Sequence, residues 1–121
     1  AALLHAGGRG VAAGILERGL EVLWERLGSP AEDLLVHLGP AICGRCYEVG
    51  AEVFLGLGLP DPGVPAPVDL RAVLARRAVA AGVRAEGISV SAHCTLCGDS
   101  GLFSHRGGDR ERQAGFLGLR G

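Results

Sequence analysis

The first long pattern of apolar and polar positions predicts a helix from about Val11 to Leu27. Apolar residues recur there at three- and four-residue spacing along one side, and glutamates and arginines populate the other. A glycine-rich stretch, Gly7–Gly10, precedes the helix, and the apolar residues Ala1–Leu4 lie before that. We therefore expect a buried strand at residues 1–4, a tight turn, and a helix that ends at Gly28.

Later segments alternate between strand-like and helix-like patterns. Asp69 is a suitable N-cap for a second helix that runs to about Ala81 and is closed by Gly82. The proline-rich stretch Leu59–Leu70 before it is expected to be an exposed, semi-rigid connection. Further strands are predicted at residues 34–42, 87–91 and 113–119. This alternation predicts one layered α/β domain over residues 1–121, with a mixed sheet.

Composition narrows the classes of protein to be considered. The formal net charge of −1 and an isoelectric point near 6.5 provide no overall basic field for a nucleic acid. No apolar run approaches the ~20 residues of a membrane span. All 12 cationic residues are arginine, so a single arginine is weaker evidence of function here than in a balanced composition. We expect a cytoplasmic protein that binds neither nucleic acid nor membrane.

The stretch LLHAGGRGVAAG places His5 where the first predicted strand meets the glycine turn. Open α/β folds place their sites at the ends of strands, and a helix N-terminus offers free N–H groups to an anion. Arg9 could add a bidentate contact to that anion. The alternative is that His5 only terminates a buried strand, and that the glycines allow the helix to pack closely.

Two C-x-x-C pairs form a second candidate site: Cys43 with Cys46, and Cys94 with Cys97. Such pairs commonly present four thiolates to zinc in a tetrahedron, with about 15–20 residues between the pairs. Here 47 residues separate Cys46 from Cys94, so the fold would have to bring the pairs together. The alternative is four reduced cysteines that act as small apolar residues or as active-site residues.

A third candidate is the loop GLFSHRGGDRER near the end of the chain. His105, Arg106, Arg110 and Arg112 gather cationic donors that could bind a phosphate by charge-assisted hydrogen bonds. The alternative is a solvated loop in which Asp109 and the neighbouring glutamate balance the charge.

Three stretches, in order, resemble the motifs of one family. HAGGRGVAAGILERGLEVL resembles HAGWRG followed by a helix beginning LAAGI, and LGPAICGRCYEVG resembles GPAIGPCCYEVG. The stretch CTLCGDSGLFSHRGGDRERQAGFLGL resembles CT-x-C-x(4–5)-FFSYRR…GRMAGLI. The chain is thus similar, from Leu3 to about Leu119, to the laccase-domain family. That family was first described as multicopper polyphenol oxidoreductases, and later as purine nucleoside phosphorylases that also deaminate adenosine.

The resemblance implies a layered α/β/β/α sandwich, of which this chain is the C-terminal portion and therefore incomplete at its N-terminal side. It implies a zinc bound by two histidines and a cysteine, with His5 matching one of these ligands. The implied catalytic residues are His5 and Arg9. The positions implied for substrate and phosphate are Arg9, Cys46, Arg106 and Arg112, and the implied substrates are a purine nucleoside and phosphate.

The chain also departs from the family motifs. Gly8 stands in place of a tryptophan, His105 in place of a tyrosine, and Cys43 in place of a glycine. Two alternatives to the enzyme therefore stay open. One is a truncated, catalytically impaired member that acts as a structural or interaction domain and covers its apolar surface as a homodimer. The other is a zinc-binding module built on the four cysteines.

Overall fold

Four helices and four short strands make up the regular structure in the computed structural model, which describes residues 1–120. The helices are α1 (Gly8–Ala12), α2 (Ile15–Leu27), α3 (Ala51–Gly56) and α4 (Leu70–Ala80). The strands are β1 (Val36–Leu38), β2 (Glu48–Val49), β3 (Ala66–Pro67) and β4 (Ile88–Val90), and 3₁₀ turns occupy Ala31–Asp33 and Ala85–Gly87. The α/β class predicted from the sequence is confirmed.

The strands form two small sheets. β1 and β4 pair in parallel, with His37 opposite Ser89, whereas β2 and β3 pair in antiparallel fashion. A further parallel bridge between Ala41 and Cys94 continues the β1–β4 pairing beyond both strands. The segments that follow β1 and β4 therefore leave the sheet side by side, and each contains one of the cysteine pairs.

Helix α4 lies at the centre of the apolar core. Its N-cap is Asp69, whose carboxylate accepts a hydrogen bond from the Ala72 backbone N–H at 3.1 Å, as the sequence predicts. One face of the helix is buried and packs against α1, α2 and β1. The buried apolar residues of the core are Val11, Leu16, Leu38, Val49, Leu57, Val68, Leu70, Val73, Leu74, Ala78 and Val83.

Arg77 of α4 connects the first two helices of the chain to this core. Its guanidinium donates hydrogen bonds to the backbone carbonyl oxygens of Val11 and of Leu57, the latter at 2.9 Å, and lies 4.0 Å from the carboxylate of Glu17. A single arginine thus joins α1, α2 and the end of α3.

The first predicted helix is divided in two. Gly14 has a φ of +85°, in the left-handed region that glycine adopts without a steric penalty. The chain turns there, so α1 ends at Ala12 and α2 begins at Ile15. The end of α2 agrees with the prediction, since Gly28 is left-handed at its C-cap.

The strands predicted at the two ends of the chain are wrong. Residues 1–4 and 113–119 are exposed and have no strand assignment, and Phe116 is 91% exposed. A strand is stable only where a neighbouring backbone satisfies its N–H and C=O groups, and no segment among residues 1–120 pairs with either stretch.

The proline-rich connection is more structured than predicted. Within Leu59–Leu70, β3 pairs with β2, and Val68 is 6% exposed and belongs to the core. Among the described residues, no helix is both long and apolar enough to cross a bilayer.

Candidate functional site

The fold brings all four cysteines into one cluster. The Sγ atoms of Cys43, Cys46, Cys94 and Cys97 lie within 4.8 Å of one another, and those of Cys43 and Cys97 are 3.7 Å apart. None of the four is in a disulfide, since all are free thiols. The parallel bridge at Ala41 and Cys94 explains how pairs separated by 47 residues meet. These four side chains could hold a metal ion.

Backbone N–H groups point at the most buried of the four sulfurs. The Cys94 Sγ accepts hydrogen bonds from the N–H groups of Cys43, Leu96 and Cys97 at 3.2, 3.3 and 3.4 Å. Burial raises the pKa of the Cys94 thiol, but these three donors outweigh it and lower the pKa to about 6. The three N–H donors therefore favour the thiolate form of this sulfur.

The other three thiols differ from one another. A hydrogen bond from the Arg45 backbone lowers the pKa of Cys43, whereas hydrogen bonds to Cys43 and Cys97 raise the pKa of Cys46 to about 12. The pKa of Cys97 is also raised, chiefly by its hydrogen bond to Cys94. Interaction with the Cys43 thiol, followed by the charges of the neighbouring thiols, raises the pKa of the Arg45 guanidinium. Neighbouring thiolates repel each other, so ionising all four requires a cation among them.

Arg71 of α4 fixes the loops that contain the cysteines. Its Nη1 donates hydrogen bonds to the carbonyl oxygens of Ser91 at 2.8 Å and His93 at 3.0 Å, and reaches that of Gly39 at 3.5 Å. One guanidinium group therefore joins the segment after β1 to the segment after β4, just before each cysteine pair.

A second group of side chains surrounds the glycine turn. A Cβ placed on Gly7 would lie 3.5 Å from the His5 Nε2, and a Cβ placed on Gly8 would lie 2.7 Å from the Tyr47 Oη. His5 and Tyr47 thus lie along the same short stretch of backbone. Tyr47 follows Cys46 directly in the chain, so this group adjoins the cysteine cluster.

Arg106 joins the same group. Its guanidinium lies over the Tyr47 ring, 5.0 Å from the ring centroid, which is the geometry of a cation–π contact. Arg9 is an exposed residue of α1, beside the glycine turn. His5 therefore lies by the Gly7–Gly8 backbone and Arg106 by Tyr47, whereas Arg9 follows that backbone directly in the chain.

Arg112 has a different setting. It donates hydrogen bonds to the carbonyl oxygens of Asp109, Arg110 and Glu111, and its Nη2 lies 3.2 Å from the Nδ1 of His105. Its Nη1 is thus occupied in ordering its own loop. Cys46 lies in the cysteine cluster, and its assignment to substrate stays a prediction, as do the catalytic and phosphate roles of the other residues.

The metal site implied for His5 is not complete in this part of the chain. Within residues 1–120, the four cysteines are the one set of three or more histidine, cysteine, aspartate or glutamate side chains close enough to share an ion. His5 is not in that set, so the described residues supply one of the three ligands that the resemblance implies.

Sequence reasoning did not identify the parts played by Tyr47 and Arg71. Tyr47 sits in the motif CYEVG, and its place in that motif is a signal that could have found it. Arg71 has no comparable signal, because a donor to loop carbonyls cannot be distinguished from other helical arginines before the fold is known.

Comparison with known proteins defines the class. Residues 1–120 match the family described as multi-copper polyphenol oxidoreductase laccase. The chain therefore belongs to that family, as its three motifs predict.

Individual relatives carry more specific names. The chain is 41% identical to a purine nucleoside phosphorylase of Mycobacterium tuberculosis, over 88% of this chain and 44% of the relative. It is 36% identical to adenosine deaminase RL5 of an unknown prokaryotic organism, over 87% and 44%. The crystal structure of YlmD from Geobacillus stearothermophilus superposes with a TM-score of 0.78 and 33% identity, covering 85% of this chain and 42% of that one. The chain thus spans less than half the length of these relatives.

Proposed function

We propose that this chain supplies part of the active site of a purine nucleoside phosphorylase. The observation that carries the proposal is the grouping of His5, Tyr47 and Arg106 around the Gly7–Gly8 turn in a chain of this family. Phosphorolysis breaks the bond between the ribose C1′ and the purine nitrogen, joins a phosphate oxygen to C1′, and returns a proton to the purine. The products are the free purine and ribose 1-phosphate.

The arginines have a direct use in this reaction. Phosphate is a doubly charged anion near neutral pH, and guanidinium groups bind it by paired, charge-assisted hydrogen bonds. Arg9 and Arg106 are both exposed, whereas the Nη1 of Arg112 is occupied by carbonyl oxygens of its own loop. We assign phosphate binding to Arg9 and Arg106, and a positioning role to Arg112.

The proposal includes a zinc ion bound by His5, but this chain accounts for only part of that metal site. A catalytic zinc takes three protein ligands and keeps one position open, and residues 1–120 supply one such ligand beside the glycine turn. Deamination of adenosine, in which water replaces the amino group at C6 and ammonia leaves, is proposed for the same completed site.

The test joins this chain to the part of the Mycobacterium tuberculosis relative that it does not match. Purine release from inosine and adenosine is measured with and without phosphate, and ammonia release from adenosine is measured in parallel. We expect phosphate-dependent purine release from the chimera, a large loss in His5→Ala, and no activity from residues 1–121 alone.

His37→Ala is the matched control, because His37 bonds to Ser89 on β4 and lies outside the proposed site. It is expected to leave purine release unchanged. A chimera that unfolds cooperatively but releases no purine in the presence of phosphate would refute the proposed function.

A further inference from the structure

We propose that Cys43, Cys46, Cys94 and Cys97 form a structural zinc site that fastens the loop after β1 to the loop after β4. This site is separate from the metal ligand expected at His5. It goes beyond the proposed function, because it needs only residues of this chain and predicts a bound ion whether or not the chain takes part in nucleoside cleavage.

The distances fit a single small ion. With Zn–S bonds of about 2.3 Å, the sulfurs of a tetrahedral site lie about 3.8 Å apart. The Sγ atoms of Cys43 and Cys97 are 3.7 Å apart, and all four sulfurs lie within 4.8 Å of one another. The Cys43–Cys97 pair is therefore at the spacing of a tetrahedral zinc site, and all four sulfurs are close enough to share one ion.

Other uses of four cysteines fit less well. A disulfide needs sulfurs about 2.05 Å apart and joins only two of them. An iron–sulfur cluster places several irons and sulfides between the thiolates, and so separates them further than a single ion does. Tetrahedral sites with four sulfur ligands select zinc or iron over magnesium and calcium, which prefer oxygen. Zinc matches both the ligand type and the distances, and a single iron ion is the competing occupant that metal analysis distinguishes.

The surroundings support the ligands from several directions. Three backbone N–H groups point at the Cys94 sulfur, and Arg71 holds the carbonyl oxygens of Ser91 and His93 just before that pair. Four thiolates and one Zn²⁺ carry a net charge of −2, and the positive charge of Arg45, between Cys43 and Cys46 in the chain, offsets part of it. Such outer contacts orient the ligands of a metal and tune its affinity.

The site also has a structural consequence. Tyr47 follows Cys46, and its hydroxyl occupies the space beside Gly8. An ion bound to Cys46 therefore fixes the backbone from which Tyr47 reaches the glycine turn. Zinc would stabilise the whole edge of the fold at which the three family motifs meet.

Metal content tests the proposal directly. The 121-residue chain, purified without chelator, is analysed for zinc and iron by mass spectrometry, and we expect about one zinc ion per chain. Cys43→Ser and Cys97→Ser should each lose most of that zinc. His5→Ala should keep it, which separates this site from one at His5.

Because loss of a metal ligand can prevent folding, a second measurement uses the unaltered chain. After removal of metal with a chelator, Zn²⁺ should raise the melting temperature, and Co²⁺ should give the intense thiolate charge-transfer absorption of a tetrahedral sulfur site. Free thiols are counted in parallel under reducing and oxidising conditions.

Several results would overturn the proposal. These are a folded chain that takes up no zinc, zinc lost in His5→Ala but kept in Cys43→Ser, iron in place of zinc, or a disulfide in the freshly purified protein. Because purine release is not among these measurements, failure here leaves the proposed enzymatic function standing, and the reverse also holds.

Discussion

Gly8 leaves room for one side chain in particular, that of Tyr47. A Cβ at position 8 would lie 2.7 Å from the Tyr47 Oη but 3.8 Å from its Cζ, so the hydroxyl alone makes the contact too close. Arg106 over the ring limits how far Tyr47 can move. Gly8 therefore lies against Tyr47, a tyrosine that the quoted family motif GPAIGPCCYEVG also contains.

We expect Gly8→Ala to lower the free energy of unfolding by about 1–2 kcal/mol, because overpacking outweighs the better helix propensity of alanine. When Tyr47 is replaced by Phe, the close contact is absent. Gly8→Ala should then leave the free energy of unfolding unchanged or raise it. Urea unfolding of the four proteins in this cycle measures the coupling.

Gly39→Ala serves as the control, since no atom lies within 4 Å of a Cβ at that position. Its effect should be small and equal in both backgrounds. An equal cost of Gly8→Ala with Tyr47 and with Phe at position 47 would contradict the proposed contact.

A second prediction for a single residue concerns Arg71, which positions the cysteine loops but is not a ligand of the zinc ion. Its guanidinium fixes the carbonyl oxygens that precede Cys94, so Arg71→Ala should weaken zinc binding by about 10- to 100-fold without removing a ligand. Competition with a chelator of known affinity measures the change.

Arg84→Ala, at an exposed position, is the control and should leave zinc affinity unchanged. If Arg71→Ala binds zinc as tightly as the unaltered chain, then the cysteine loops are ordered without its hydrogen bonds.

At the scale of elements, α4 is the helix to which the rest of the chain is attached. Arg77 spans the distance from α4 to α1 and to the end of α3, and its side chain is only 25% exposed. Removing it leaves the carbonyl oxygen of Leu57 without this donor, and that of Val11 with the Gly14 N–H at 3.1 Å.

We expect Arg77→Ala to lower the free energy of unfolding by about 2–3 kcal/mol, because hydrogen bonds from a charged group to buried acceptors are lost. The neighbouring and exposed Arg76→Ala should change it by less than about 0.5 kcal/mol. Equal effects of the two substitutions, measured by denaturant unfolding, would show that the contacts of Arg77 contribute little.

The elements that the sequence predicted correctly are those whose signals are local. The cap at Asp69 and the periodic apolar positions define α4, and short apolar runs mark β1 and β4. The strands predicted at residues 1–4 and 113–119 failed because a strand depends on a partner, which an apolar run does not reveal. β2 and β3 escaped notice because a ladder of two residues leaves almost no pattern.

The candidate site, like the fold, has a part that the sequence predicts and a part that it does not. His5, Arg9 and Arg106 could be singled out because motifs mark them; His5 lies by Gly7, Arg106 lies over Tyr47, and Arg9 lies in α1 directly after Gly8. The meeting of the two cysteine pairs could not be derived from their spacing, since it follows from the parallel register that joins Ala41 to Cys94. Contacts between distant segments are thus the part of the site that pattern alone leaves undetermined.

At the scale of the whole molecule, both ends of the chain present apolar side chains on neighbouring surfaces. Leu4 packs over Gly19 of α2, and a Cβ on Gly115 would lie 3.7 Å from Leu3. Leu3 is nevertheless 60% exposed, and Phe116 and Leu119 are 91% and 82% exposed. Exposed apolar residues that are grouped in this way are typical of surfaces that other protein covers.

We therefore expect the 121-residue chain to self-associate through its terminal segments. Sedimentation velocity should show a dimer whose fraction rises with protein concentration, and Phe116→Arg should shift the population toward monomer because it places a charge in the contact.

Leu35→Arg tests whether the dimer depends on the terminal segments or on any exposed apolar residue. Leu35 is 87% exposed, as solvent-accessible as Phe116, but it lies between the 3₁₀ turn at Ala31–Asp33 and β1. If the terminal surface is the contact, the charge at position 35 should leave the dimer intact. A chain that stays monomeric at every concentration, or a dimer that both substitutions disrupt equally, would contradict the assignment, because the terminal segments would then have no special part in association.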